Sequence, residues 1–422
     1  MWGARVEWKR ASRAVAGCLL VAGAAEAGDL KLEGLLEART IEVEGQKSWL
    51  KGGFSRLTEG AEGPEQRAWA ARGQVHLGLD WRPSPLWLVT AHGALELEPS
   101  SDRGQKAGLV EAFAQFRPEL TPALALRFRA GIVFPETSLE NQDPLWQSPY
   151  TLTLSALNSW AAEELRLTGL ETALQWKLSK DASLAVAGNL FVANDAAGAL
   201  VAWRGWSFSD RLTTVGEVLP LPPLRTLQAG GAFGSQENGT RPLSELDGRP
   251  GFEIRGRLAE GTLVEARVAR YDNRGDRELY SGQYSWDTAF STAGLALHPA
   301  PGWTVLGEGA LGRTGMGPEA PSRPHVDVRF RVGYLLVSWA SERWRVSGRL
   351  DSFTNHDLDQ TAEPDQESGW SWTVALFFRP RKPLRLGAEV LSVRAERPAA
   401  ADSGANPNTN AWRAQIEART TF

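Results

Sequence analysis

The chain ends on Ala411–Phe422, AWRAQIEARTTF, and this stretch decides the fold. Trp412, Ala414, Ile416, Ala418, Thr420 and Phe422 fall on one side of an extended chain. Arg413, Gln415, Glu417, Arg419 and Thr421 fall on the other. A period of two gives one apolar and one polar face, which is a strand and not a helix. The same dyad recurs upstream. Phe252, Ile254, Gly256 and Leu258 alternate with Glu253, Arg255 and Arg257. Val326, Val328, Phe330, Val332 and Tyr334 alternate with Asp327, Arg329, Arg331 and Gly333. Trp344, Val346, Gly348 and Leu350 alternate with Arg345, Ser347, Arg349 and Asp351, and Trp370, Trp372, Val374, Leu376 and Phe378 form a further apolar row.

The polar rows are too rich in arginine to face lipid, where each Arg costs about 2–4 kcal/mol at the bilayer midplane. The expected arrangement is therefore apolar rows outward and arginines toward a wet lumen. This is an all-β fold: a transmembrane antiparallel β-barrel. Trp81, Trp87, Trp176, Trp303, Trp344, Trp370 and Trp412 fall near strand ends, where an interfacial aromatic girdle belongs, and they account for much of the 18 Trp against 2 Met.

The composition is compatible with this. The 422 residues are 42% hydrophobic and 23% charged, so the chain is not disordered. Gly 43 and Pro 24 suggest many turns. A net charge of −4 without a polybasic tract argues against nucleic acid as a partner. No apolar run is long enough for a transmembrane helix, but barrel strands need only about 9–11 residues. At the start, Arg5, Lys9, Arg10 and Arg13 precede the apolar Ala14–Ala25, and Ala25-Glu26-Ala27 has the small residues of a cleavage site. Residues 1–27 read as an export signal and 28–422 as the barrel. Cys18, the only cysteine, then leaves with the signal.

Connection lengths alternate. Short ones fall at Arg82–Pro85, Arg117–Pro122, Ser179–Ala182, Ala259–Gly261, His298–Gly302, Ser341–Arg343 and Arg379–Pro383. Long polar ones fall near 44–68, 98–107, 134–164, 193–250, 272–282, 314–325, 354–368 and 396–409. Short periplasmic turns and long external loops are the barrel pattern. Counting gives about 16 strands, or 18 if 199–208 and 225–234 are also strands.

Two features carry a resemblance. The terminal Phe422 resembles the C-terminal signal read by the outer-membrane barrel-assembly machinery. Ala130–Asn141 (AGIVFPETSLEN) is similar to the strand-to-third-loop segment of the phosphate-selective porin family, with Gly131, Ser138, Leu139 and Glu140 in register, and Gly348–Phe353 (GRLDSF) is similar to that family's Arg-apolar-Asp-x-Phe strand end. The resemblance implies a 16-stranded, trimeric diffusion channel of the Gram-negative outer membrane, in contact with lipid and lipopolysaccharide, without cofactor or catalysis. It would pass small hydrophilic solutes or ions with a lean toward anions. It also implies that Pro135–Glu164 folds into the pore as a constriction loop carrying Glu136, Glu140, Asp143, Glu163 and Glu164.

By inward parity, the facing wall would carry Arg127, Arg129, Arg255, Arg257, Arg267, Arg329, Arg331, Arg345 and Arg349, with Arg413 and Arg419. Opposed rows of acids and arginines would set a transverse field, and charge rings tune ion selectivity. Lysine is scarce after the signal, at Lys31, Lys47, Lys51, Lys106, Lys177, Lys180 and Lys382, so the lysine-rich phosphate sites of that family are not expected. Arginine can still hold phosphate through its fork.

A barrel enzyme of phospholipase or protease type would need a Ser–His–acid set. Of His76, His92, His298, His325 and His356, only His76 and His92 are expected to point inward as neighbours across a turn. A structural or partner-binding barrel closed by 193–250 is the other alternative. Asn355-x-Asp357-x-Asp359 begins like a calcium loop, but position six lacks Gly and position twelve is Gln366. Gly230–Gly234 follows the Pro220–Pro223 run and precedes no helix, so it reads as loop.

Overall fold

The computed structural model describes residues 29–63, 65–97, 107–317, 325–359 and 364–422. The export-signal reading of 1–27 lies outside these residues. Among the described residues, sixteen strands form the wall: β1 Asp29–Glu44, β2 Arg67–Ser84, β3 Trp87–Glu96, β4 Ala107–Phe116, β5 Leu124–Val133, β6 Leu167–Lys177, β7 Ala182–Val192, β8 Gly251–Glu260, β9 Val264–Asp272, β10 Asp287–Leu297, β11 Trp303–Met316, β12 Val326–Ala340, β13 Trp344–Asp357, β14 Glu367–Arg381, β15 Leu384–Glu396 and β16 Asn408–Thr421. A three-residue strand, Glu119–Thr121, continues β4 along the foot of β5.

Each strand pairs antiparallel with its sequence neighbours, and β16 returns to β1, with Leu35 opposite Thr421 and Glu44 opposite Trp412. The sheet is closed. Closure satisfies every ladder group without help from solvent, as a lipid environment requires. The count is sixteen because 199–208 and 225–234 hold a π-helical turn at Leu200–Arg204 and a 3-10 turn at Arg225–Leu227 in place of wall strands.

Short connections gather at one end of the barrel and long ones at the other. Most outward rows are apolar: Ile254, Val268, Leu335, Val374 and Ile416 are exposed on the outer wall. Trp87, Trp303, Trp339 and Trp344 ring the turn end, and Trp69 and Trp370 lie exposed at the loop end. The aromatic belts thus sit at both rims.

The expected parity is reversed on β12. Val326, Val328, Phe330, Val332 and Tyr334 are buried inside the barrel, while Arg329 and Arg331 are exposed on its outer surface. The physical reason is that the lumen beside β12 is filled with protein. Helix α1, Ala156–Glu164, lies in the third loop (134–166) and is wholly buried. Its Trp160 meets Phe290, Phe330 and Trp206 edge-on, with ring centroids 5.0, 5.4 and 5.8 Å away. The fourth loop (193–250) adds Trp203, Trp206 and Phe208, and the first loop (45–66) adds Leu57, to apolar clusters inside the wall. Beside β12 the plug surface is apolar and takes the apolar row, whereas beside β13 the third loop offers Glu140 and backbone carbonyls and the polar row, with Arg349, stays inward.

Candidate functional site in the lumen

The plug leaves one sector of the lumen open. A cavity of about 670 Å³ lies along the inner wall of β4–β9 and reaches the turn end, where 117, 119, 121–125, Lys177 and Ser183 line it. Arg127, Arg129, Arg255, Arg257, Arg267 and Glu136 all line this cavity. The strand period brings them together: Arg127 and Arg129 are two apart on β5, and so are Arg255 and Arg257 on β8.

The register adds acids that sequence reading passed over. Glu171 on β6 lies opposite Arg129, and Arg257 lies directly opposite Arg267. Glu171 accepts a forked pair from Arg129 Nε and Nη2, at 2.9 and 2.6 Å, and also pairs with Arg127 and Arg255. Glu253 accepts from Arg255 Nη1 at 2.8 Å. The Arg257–Arg267 opposition is bridged by Glu265, which accepts from Arg257 Nη2 at 2.8 Å and Arg267 Nε at 2.6 Å. These acids were legible only as inward-parity carboxylates on the arginines' own strands or neighbouring ones.

Acids and arginines differ in what they show to water. The side chains of Glu171 and Glu253 are each 1% exposed, whereas Arg257 is 44% exposed. Arg257 and, less so, Arg267 therefore present guanidinium to the cavity, whereas Arg129 and Arg255 are themselves buried against Glu171 and Glu253, and Glu265 is as exposed as Arg267. Opposite it, Glu136 reaches out of the third loop to Arg127 Nη2 at 2.8 Å, Arg129 Nη1 at 2.9 Å and Arg255 Nη2 at 3.1 Å. Burial alone would raise the Glu136 carboxyl. Arg129, Arg255 and Arg127 outweigh burial and hold it well below the usual carboxylate range.

The other expected loop acids lie elsewhere. Glu140 is fully buried on the far side, bound by Arg349, the Ser155 amide and Asn158 Nδ2. Glu163 is buried against Arg204 at 2.7 Å. Glu164 accepts from Trp160 Nε1 at 2.6 Å and from the Gly198 and Leu200 amides at 2.9 Å each. Glu163 and Glu164 thus tie the third loop to the fourth and do not line the cavity. Asp143 is half-buried near the loop's short 144–146 turn.

Of the expected wall arginines, Arg349 is fully buried under the third loop, Arg345 lies over the Tyr150 ring at 5.0 Å, and Arg329 and Arg331 are outside. Arg413 pairs with Glu59 at 2.7 Å, and Arg419 with Glu37 and Glu417. His76 Nδ1 and His92 Nε2 are 3.1 Å apart and buried. Asn355 is occupied by Trp206 Nε1 and the Val201 carbonyl, so it does not begin a calcium loop.

Ser138, Leu139 and Glu140 have a structural task. Ser138 Oγ accepts from the Glu140 and Asn141 amides, and the Leu139 amide donates to Glu308 on β11 at 2.8 Å. Gly131 has φ 141°, and a Cβ there would lie 2.2 Å from the Ala112 carbonyl oxygen, so this position on β5, just before the third loop, requires glycine.

Glu164 makes the plug pH-sensitive. Burial raises its carboxyl from 4.5 to about 7, against the Leu200 and Gly198 amides, the Trp160 indole and Arg204. The folded plug thus holds this proton more tightly than the unfolded chain. Its contribution is complete below pH 4.5 and is lost as pH rises through 7. The span is at most about 3 kcal/mol. Thermal unfolding followed by tryptophan fluorescence should show a midpoint that falls between pH 5 and 8. Glu164→Gln should flatten that slope, and an unchanged slope would remove Glu164 as its source.

No family model matches this sequence, and no curated protein does. Among solved structures, the fold is similar to a loop-deletion mutant of OmpT, an outer membrane protein of Vibrio cholerae, at 7% identity and TM-score 0.51, over 94% of this chain and 100% of that one. It is also similar to the trimer form of OmpT, at 6% identity and TM-score 0.50, with the same coverage. An anion-selective porin from Comamonas acidovorans is similar at 9% identity and TM-score 0.50, again over 94% of this chain and 100% of that one. At these identities the likeness is one of fold.

Proposed function

We propose that this chain is an outer-membrane channel of porin type in a Gram-negative cell, passing small hydrophilic solutes by passive diffusion with a preference for anions. The observation that carries this reading is the open sector of the lumen. In it, Arg257 and Arg267 are open to water, and Arg127, Arg129 and Arg255 line the wall where Glu136 reaches them, with Glu171 and Glu253 buried behind. Such a wall stabilises an anion near the arginines while Glu136 keeps the field transverse. The anion-selective porin of similar fold is consistent with this reading.

Homotrimer formation belongs to the same reading. Strands β3–β9 are 9–11 residues long and β11–β16 are 13–15, so the wall is lower on the cavity side. Phosphate selectivity finds little support, since among the described residues Lys177 is the only lysine lining the cavity. The expected role of Phe422 in assembly remains part of the proposal; its backbone pairs with Gly34 in the finished barrel.

The test is single-channel recording in planar bilayers under a salt gradient. Wild type should give ohmic steps and a reversal potential on the chloride side. Arg257→Glu with Arg267→Glu should move the reversal potential toward the cation side. Well-folded protein without steps would sink the channel reading. Steps with a cation-side potential in wild type would sink the anion preference.

A further inference from the structure

The reversed parity of β12 leaves cations on the outside of the barrel. Arg329 and Arg331 project from β12, and Arg270 from β9, at the loop end of the outer wall. They rim a shallow concavity of about 700 Å³ with Arg277, Arg313 and Leu311. The acids nearby are already engaged. Asp327 takes both arms of Arg313, Asp287 pairs with Arg277 at 3.2 Å, and Asp272 accepts the Arg274 amide at 3.0 Å. Arg270 donates only a long 3.4 Å bond to Ser291 Oγ. Arg329 and Arg331 make no ion pair or hydrogen bond with any described residue.

Their height is fixed by the register. Trp303 lies opposite Trp339 at the turn-end rim, and Arg331 and Arg329 follow eight and ten residues further along β12. At about 3.4 Å per residue and a tilt near 40°, that is roughly 20 and 25 Å above the tryptophans. The apolar band of such barrels is about 25 Å tall. Arg329 therefore stands at the far headgroup level, and Arg331 roughly 5 Å below it, within reach of the headgroups by its long side chain, where an Arg costs little. The loop-end aromatics elsewhere, Trp69 and Trp370, have no counterpart on β9–β12.

Below the arginines the wall is smooth. Ala293, Gly309 and Gly333 sit side by side across β10–β12, and Leu295, Gly307 and Leu335 form the next row. This makes a shallow trough on which acyl chains can lie. Arg270 and Arg331 are three strand spacings apart, about 14 Å, which suits a headgroup with more than one phosphate.

The geometry points to a binding site on the outer face of β9–β12 for the phosphates of an outer-leaflet glycolipid, held by Arg270, Arg329 and Arg331. Guanidinium binds phosphate through paired, charge-assisted bonds, and the trough takes the chains. The inference rests on the outer-membrane placement proposed above.

The test uses the purified full barrel in neutral detergent, with diphosphorylated lipid A and its dephosphorylated form as probes, read by native mass spectrometry. Wild type should retain the diphosphorylated form about tenfold better. Arg329→Gln with Arg331→Gln should abolish that preference, because both residues lie outside the lumen, while leaving the reversal potential unchanged. A double variant that keeps the preference overturns the site, as does a wild type without one. Displacement of the lipid by inorganic phosphate at equal concentration would mean a simple anion site and overturn the lipid assignment. A shift of the double variant to monomer, with lipid retention unchanged, would assign the face to a second copy of the chain. Failure of the channel reading would show separately, as absent conductance.

Discussion

Replacing residues 197–243 with a short glycine–serine link should raise single-channel conductance several-fold and leave a heat-resistant barrel. The fourth loop contributes no strand to the sixteen-stranded wall, so its removal costs no ladder hydrogen bonds. Its neck is already closed: the Asp195 amide donates to the Ser244 carbonyl at 3.3 Å, and the Leu246 amide to Asp195 Oδ2 at 2.5 Å. A short link can therefore bridge it. What leaves is bulk, namely Trp203, Trp206 and Phe208, each at most 1% exposed. The polar groups left behind include Asn355, Glu367 and Arg397, together with Glu163, Arg39, Arg72 and Glu96, which lose the ion pairs they make with Arg204, Asp210 and Arg211; all of them would face water that can solvate them. A folded variant with wild-type conductance would mean that the fourth loop does not limit the path.

Arg349→Ala should destabilise the barrel by about 3–5 kcal/mol, the usual cost of stripping one partner from a buried ion pair. Arg349 Nη1 donates to Glu140 Oε1 at 2.5 Å, the Thr153 carbonyl at 2.7 Å and Thr151 Oγ1 at 2.9 Å. Its Nη2 donates to the Leu154 carbonyl at 3.0 Å, and its Nε to Asp351 Oδ2 at 2.9 Å. One guanidinium thus fastens the third loop to β13 and pairs with two carboxylates. Alanine leaves Glu140 and Asp351 buried without it. Arg349→Lys should fall between, since an ammonium keeps the charge but not the fork. Denaturant unfolding gives the magnitude, and greater current noise would report the loosened loop. A change below about 1 kcal/mol would show that the loop holds without this anchor.

By its resemblance the GRLDSF stretch is expected at the end of a strand, with Arg349 on the pore wall. In the structure it is the middle of β13, and the wall there is covered. The same separation of pattern from setting runs through the site. Arg127, Arg129, Arg255, Arg257 and Arg267 lie at the cavity as their parity suggested. Arg329 and Arg331 lie on the opposite surface, although their alternation is equally regular. Glu136 and Glu164 come from one loop, yet one faces the cavity and the other locks the loops together.

The sequence by itself determined the strands, their order, the alternation of short and long connections and which side chains share a face. All of these follow from local geometry: an extended chain repeats every two residues, and a closed sheet needs tight turns at one end. Only the tertiary structure decided which face looks inward on β12 and which acids meet the arginines. A two-residue period defines two faces but gives neither a sign. The sign depends on what the neighbouring lumen offers, an apolar plug surface beside β12 or carboxylates and carbonyls beside Arg349 on β13, and that is set by how residues 134–166 and 193–250 fold back inside the barrel.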